Sequence, residues 1–518
     1  MTSSTTVFSP RRRALAAGVL LAALGAGVAP GAPAGPLDLP EIGSTADGVM
    51  TGGAEVRLGK TFMRTVRSVL PVSDDPLLTD YVEELGRELA AADRSAGGGF
   101  SFFLIDQPVI NAFAGPGGHV GVFAGLILAC ESENELAAVV AHEIAHVTQR
   151  HLMRSIEDQG RLTIPTAALL VAAAILGAQV SGDLGAAAIL GVQAAAIQHR
   201  INFTRDNEKE ADRIGISTLA AAGRDPYAMA GFFERLAKAT RVQESGAPAL
   251  LRTHPVNTNR IADALGRADE HGARQRPDSL RFQLTRARLR ERAFDRPEKS
   301  LAAFKSSLSE GRYASEIAER YGYALALLRS DRVDEARAES ARLLAAQPSL
   351  AEFVVLDAEI DQRQGRSAQA IGRLKQAVEL SPGSWALRTA YAQALLAGGE
   401  PRRAMDELKA VVRQRPGNAG LYELLTRAAI KSGDKGATYR YQAEKLYAEG
   451  DLEPAIRNLE FALRQRDLGY HDAAQIQVLL DTLKEEEREE KRRNKPFGLT
   501  AGDRRVADPP VSWDGRLR

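Results

Sequence analysis

A chain of 518 residues exceeds one ordinary domain, so two or more are expected. Its hydrophobic fraction of 44% and charged fraction of 26% are those of a soluble globular protein. The formal net charge is +1, and Arg11, Arg12 and Arg13 lie in a first segment without acids, so the chain beyond residue 34 carries −2. That excludes the clustered basic surplus of a nucleic-acid binder, and a single cysteine, Cys130, excludes an intramolecular disulfide.

Residues 1–34 combine a basic stretch, an apolar run over 14–29 and then small residues, the layout of a secretory signal peptide. An uncleaved anchor helix is the competing reading, and the run is slightly short for one. No cysteine follows it, which excludes a lipoprotein anchor, and the paired arginines give a weak twin-arginine signal. The mature protein is therefore expected to be exported, to the periplasm in a diderm bacterium. Residues 35–55 are rich in proline and glycine and read as irregular, whereas the pattern from about 54 to 92 is helical. "FSFFLIDQP" at 100–108 reads as a strand closed by proline, and "NAFAGPGGHVGVFAGLI" at 111–127 as strand, glycine turn, strand. Ser132 and Glu135 make the S-x-x-E of a capping box ahead of an apolar run, so a helix is expected from near Glu133.

That helix carries "AVVAHEIAHVTQRH" at 138–151. His142 and His146 are one turn apart and share a face, so their imidazoles can bind one zinc ion together. Glu143 sits beside them, where a carboxylate can take a proton from the attacking water and pass it to a leaving amine. This H-E-x-x-H pattern occurs by chance on amphipathic helices, but the flanking "LAAVVA" and "IA" make this helix largely buried, and unpaired polar groups in a core are costly. Residues 162–182 and 184–198 lack formal charge. The first stretch is long enough to span a bilayer, but Pro165 and its many alanines favour an apolar hairpin over the site or in peripheral contact with a membrane.

In "NFTRDNEKEADRIGI" at 202–216, Glu208 and Asp212 lie four apart on one face of a second helix. Glu208 is a candidate third ligand, and Asp212 can accept the free N–H of a ligating histidine and fix its tautomer. Without the upstream motif the same stretch reads as an acidic solvated face. His254 precedes Pro255 in "THP", so the chain there is extended. His119, His151, His199, His271 and His471 have no partner pattern and read as structural or solvent-facing.

"NAFAGPGG", "SENELAAVVAHEIAHV", "NEKEADRIG" and "THP" together resemble the BepA-like periplasmic zinc metallopeptidases of peptidase family M48, relatives of HtpX and of the CAAX prenyl proteases. The resemblance covers about residues 45–265. It implies a gluzincin-type fold of helices with a small β-sheet, zinc bound by His142, His146 and Glu208, and Glu143 as general base. It implies that His254 lies near the metal, to stabilise an oxyanion or to bind zinc and close the site. It also supports an edge strand within 111–123 along which a peptide substrate adds.

The C-terminal half has a period. Pro348, Pro382 and Pro416 are spaced by 34, as are Gly365, Gly399 and Gly433, and Ala336, Ala370 and Ala404. That is the tetratricopeptide period, a helix pair per unit, and such stacks bind protein segments, though a plain spacer has the same pattern. Residues 484–518 start as a charged helix and end in a tail expected to be disordered.

The expected architecture is mainly α: a signal peptide at 1–34, a zinc metallopeptidase domain at 35–270, a tetratricopeptide-repeat solenoid at 280–483 and the tail. The expected activity is an exported endopeptidase with one zinc ion (Zn2+) per chain and no nucleic-acid partner. By resemblance its clients are unfolded or misassembled envelope proteins, and its repeats meet the outer-membrane assembly machinery. A chaperone or scaffold with secondary proteolysis, and an integral membrane protease, are the alternatives.

Overall fold

The computed structural model describes residues 52–97, 99–158, 205–242, 248–465 and 468–493. The expected signal segment 1–34, the uncharged stretches 162–182 and 184–198, His199 and the tail beyond 493 lie outside the described residues. Among the described residues no helix is long and apolar enough to cross a membrane.

Two helices open the fold, α1 (Gly52–Val69) and α2 (Pro76–Ala92). Asp75 caps α2 by accepting from the Leu77 N–H, and proline occupies the first turn, where no N–H is needed. Three short strands follow, β1 (Ser101–Ile105), β2 (Ala112–Gly115) and β3 (His119–Phe123). The sheet order is β1–β3–β2, parallel between β1 and β3 and antiparallel between β3 and β2, so β2 is an edge. The strand expected to reach 127 stops at Phe123, and Ala124–Ala129 turns into a short helix, α3. Gly125 lies against the Pro108–Val109 backbone, where a side chain would come within 2.5 Å of Pro108, and this contact directs the chain off the sheet.

The centre of the domain is α4 (Glu133–Thr148), buried from Glu133 to His146. Ser132 caps it, accepting from the Glu135 N–H at 3.3 Å; the returning bond of the box goes from the Glu131 N–H to Glu135 Oε2 at 2.6 Å, one residue upstream of the usual donor. After α5 (His151–Asp158) the next described helices are α6 (Arg205–Ala221), α7 (Tyr227–Val242), α8 (Ala249–Thr253) and α9 (Thr258–His271). Helix α4 packs on α6, α2, α7 and β2.

From α10 (Leu280–Arg292) onward the chain is a stack of helix pairs. The 34-residue series fall at equivalent places. Ala336, Ala370 and Ala404 are fully buried, each in the second helix of a pair. Gly365, Gly399 and Gly433 all have φ between 74° and 81°, the left-handed region that glycine enters freely and that ends the preceding helix. Pro348, Pro382 and Pro416 each stand two residues past a helix end, at Ala346, Leu380 and Gln414. The last helix, Tyr470–Arg493, includes the charged stretch from 484.

The stack is fastened to the first domain. Phe282 and Leu289 of α10 lie in the core built by α2, α4 and the sheet, while Leu77 of α2 lies in the core of the repeats. Asp75, Asp80 and Glu83 of this domain meet Arg288 at 2.7 Å, the Trp385 indole N–H at 3.1 Å and Arg415 at 2.6 Å respectively.

Candidate metal centre

His142 and His146 project from α4 at 3% and 1% exposure, and their Nε2 atoms are 3.0 Å apart. Helix α6 crosses close by because residue 215 is glycine. A Cβ there would lie 3.2 Å from the backbone nitrogen of His142 and 2.9 Å from Met229. This approach brings Glu208 to 3.6 Å from His142 Nε2 and 3.5 Å from His146 Nε2. His254 follows α8, which is tied to the segment before β2 by a bond from the Leu250 N–H to the Ile110 carbonyl at 3.1 Å. His254 Nδ1 lies 2.9 Å from Glu208 Oε1 and 3.3 Å from His142 Nε2. One donor atom from each of these four residues lies within 4.8 Å of all the others.

These spacings are those of a metal's donors. Zinc–nitrogen bonds of about 2.0–2.1 Å in a tetrahedron separate neighbouring donors by roughly 3.3 Å. The separations of His142 from His146, Glu208 and His254, and of Glu208 from His146 and His254, run from 2.9 to 3.6 Å, and all four donors lie within 4.8 Å of one another. Three imidazoles and one carboxylate, with ring nitrogens facing one another in a closed space, form a donor set that suits zinc.

The surroundings set the charge of each group. Asp212, four residues after Glu208, stands 3.0 Å from His142 Nδ1. Burial opposes protonation of His142, but Asp212 and Glu208 outweigh it and raise its pKa to about 10. Burial, with His142 as a neighbour, holds His146 well below the usual imidazole value. Burial also raises the Glu143 carboxyl, against the lowering effect of His254 and His142. Its Oε1 is 3.5 Å from His254 Nε2. Glu208 is buried too, yet His254 and His142 hold it well below the ordinary carboxylate range.

Two residues that the sequence did not single out complete the cluster. Arg260, buried in the first turn of α9, donates from Nε and Nη2 to both oxygens of Asp212 at 2.8 and 2.7 Å. It lies 2.7 Å from Glu208 Oε2 and donates to the Pro255 carbonyl at 2.8 Å. A lone arginine on an amphipathic helix reads as solvated, and nothing in one sequence marks it otherwise. The second is His151, which has no partner pattern in the sequence and reads there as structural or solvent-facing. It is fully buried, with Nδ1 2.9 Å from His146 Nδ1 and Nε2 3.1 Å from Glu210 Oε2. Of the remaining histidines, His119 is half-buried in β3, while His271 and His471 are exposed as expected.

A buried H-E-x-x-H helix, faced by a glutamate from a second helix and joined to a helical repeat stack, defines a metallopeptidase with a protein-interaction module. Residues 76–268 match the model of Peptidase family M48, and residues 362–430 match that of the Tetratricopeptide repeat. The Beta-barrel assembly-enhancing protease of Escherichia coli (strain K12) is 35% identical over 447 residues, covering 86% of this chain and 91% of that protein. The Putative beta-barrel assembly-enhancing protease of Vibrio cholerae is 36% identical over 449 residues, covering 86% and 92%. The Mitochondrial metalloendopeptidase OMA1 of Schizosaccharomyces pombe is 33% identical over 184 residues, covering 35% of this chain and 51% of its own. The chain belongs to peptidase family M48 and is a metalloendopeptidase.

Proposed function

We propose that this chain is an exported zinc endopeptidase that hydrolyses peptide bonds in misfolded or misassembled envelope proteins. In this reading one zinc ion per chain is held by His142, His146 and Glu208, and His254 fills the fourth position at rest. The observation that carries it is the convergence of these four donors in a buried space beside Glu143. Bound there, zinc supplies Lewis acidity and makes water ionise near neutral pH.

The protein's own groups do the rest. Burial favours the protonated form of Glu143, so its carboxylate takes the proton of the attacking water, holds it and passes it to the leaving amine. Asp212 holds the His142 ring with its Nε2 toward the metal, and Arg260 fixes Asp212 in turn. The outer edge of β2 offers backbone groups along which an extended substrate adds as a further strand.

The reading takes residues 35–270 as the catalytic unit and 280–483 as the repeats that hold the client. The names of the relatives tie those proteins to β-barrel assembly. Carried to this chain, they support outer-membrane proteins and their assembly machinery as natural partners. The layout of residues 1–34 supports export to the periplasm, and the apolar stretch 162–198, interrupted by one charge at Asp183, supports peripheral contact with a membrane.

The test separates base from ligand. Glu143→Gln is expected to abolish proteolysis of an unfolded model protein and keep zinc at one per chain, whereas His146→Ala and Glu208→Ala lose metal as well. Loss of zinc from Glu143→Gln to the extent seen in His146→Ala overturns these roles.

A further inference from the structure

We propose that His151 is a positioning residue for the metal: it holds the ligand His146, and Glu210 holds it. Along an uninterrupted helix, residues five apart point about 140° away from each other. His146 and His151 meet because the helix is interrupted. Helix α4 ends at Thr148, Arg150 adopts φ 54°, and α5 begins at His151. A non-glycine residue in the left-handed region is uncommon and is held there by its surroundings. The break folds His151 back, so the two rings meet edge to face with centroids 4.9 Å apart.

The proton positions follow from the contacts. Two Nδ1 atoms 2.9 Å apart share one hydrogen. Glu210 Oε2, 3.1 Å from His151 Nε2, is a carboxylate oxygen and accepts, so His151 carries its hydrogen on Nε2. A neutral imidazole then offers a bare Nδ1, and the hydrogen between the rings belongs to His146 Nδ1. That leaves His146 Nε2 bare, aimed at His142 and Glu208 in the donor cluster. Glu210, His151 and His146 thus form a relay that fixes a tautomer across two rings. His142 receives the same service directly from Asp212. Helix α6 supplies all three carboxylates, at 208, 210 and 212.

The proposal rests on the reading of His146 as a ligand, and the experiment keeps the two apart. Zinc affinity is measured by competition with a chromophoric chelator, and the ligand field by the visible spectrum of the cobalt-substituted protein. His151→Phe keeps the ring volume and removes the acceptor. It is expected to weaken zinc binding by about 10- to 100-fold and to shift the cobalt bands. His151→Asn places a carbonyl oxygen where Nδ1 stood and is expected to stay within about threefold of the parent. Glu210→Ala alters a partly exposed side chain and is expected to cost roughly tenfold, which carries the test if the phenylalanine variant does not fold. Parental affinity in His151→Phe or Glu210→Ala overturns the relay, as does an asparagine variant as weak as the phenylalanine one. Zinc retained by His146→Ala overturns instead the reading of the site on which the relay rests.

Discussion

His254 faces two groups at once. Its Nδ1 is among the metal-type donors, 2.9 Å from Glu208 Oε1, and its Nε2 is 3.5 Å from Glu143 Oε1. A fourth protein ligand would occupy the place that attack by water requires, so His254→Ala is expected to raise basal cleavage of an unfolded substrate. A side chain that instead donated to the oxyanion would be missed in the transition state, and kcat would fall by the order of 10²–10³. A single kcat measurement on that variant decides between them. At this scale the sequence was legible where chemistry followed helical spacing. His142 with His146, and Glu208 with Asp212, lie four apart and share faces. His254 came through family resemblance. Arg260 and His151 were hidden because their partners come from other elements. Arg260 reaches Asp212 across 48 residues of sequence, and His151 reaches Glu210 across 59.

Among the elements, the sheet depends on a missing side chain. Gly121 in β3 is paired with Phe103 on one side and Phe113 on the other. A Cβ at residue 121 would lie 2.5 Å from the Phe113 ring and 3.0 Å from that of Phe103. Phe113 cannot move freely, because its ring centroid is 5.8–6.1 Å from those of Phe62, Phe103 and Phe123. Gly121→Val is therefore expected to destabilise the protein by about 1–3 kcal/mol through overpacking. It is also expected to slow proteolysis, since β2 carries Phe113 next to Ala114, beside Glu143. Adding Phe113→Leu should recover part of the stability; denaturant melts of the single and double variants check this. The glycine turn and the 34-residue period were legible, because turns and helix ends impose local backbone demands. The end of β3 was not, because the chain leaves the sheet through a backbone contact with Pro108 that no local pattern announces.

Across the whole molecule, the 34-residue period placed the repeats but could not tell that their first helix serves two cores. Helix α10 gives Phe282, fully buried, and Leu289 to the catalytic core, and turns Leu284 and Ala287 toward the repeats. The Phe282 ring lies 6.3 Å from that of Tyr81. Ser279 donates to Glu133 at 2.8 Å, and Tyr81 donates to the same oxygen at 3.0 Å, so the start of α10 is bonded to the start of α4. Emptying a site like that of Phe282 costs roughly 3–5 kcal/mol, a large part of the stability of an ordinary domain. A chain ending at 279 is therefore expected to aggregate or to melt far below the parent. A chain ending at 294 retains Phe282 and Leu289 and is expected to fold, bind zinc and cut an unfolded model protein, though it leaves Leu77 and Leu284 uncovered and needs dilute conditions. Zinc content and thermal melts of the two truncations test this directly: equal melting temperatures for both would mean that α10 contributes nothing to the catalytic core.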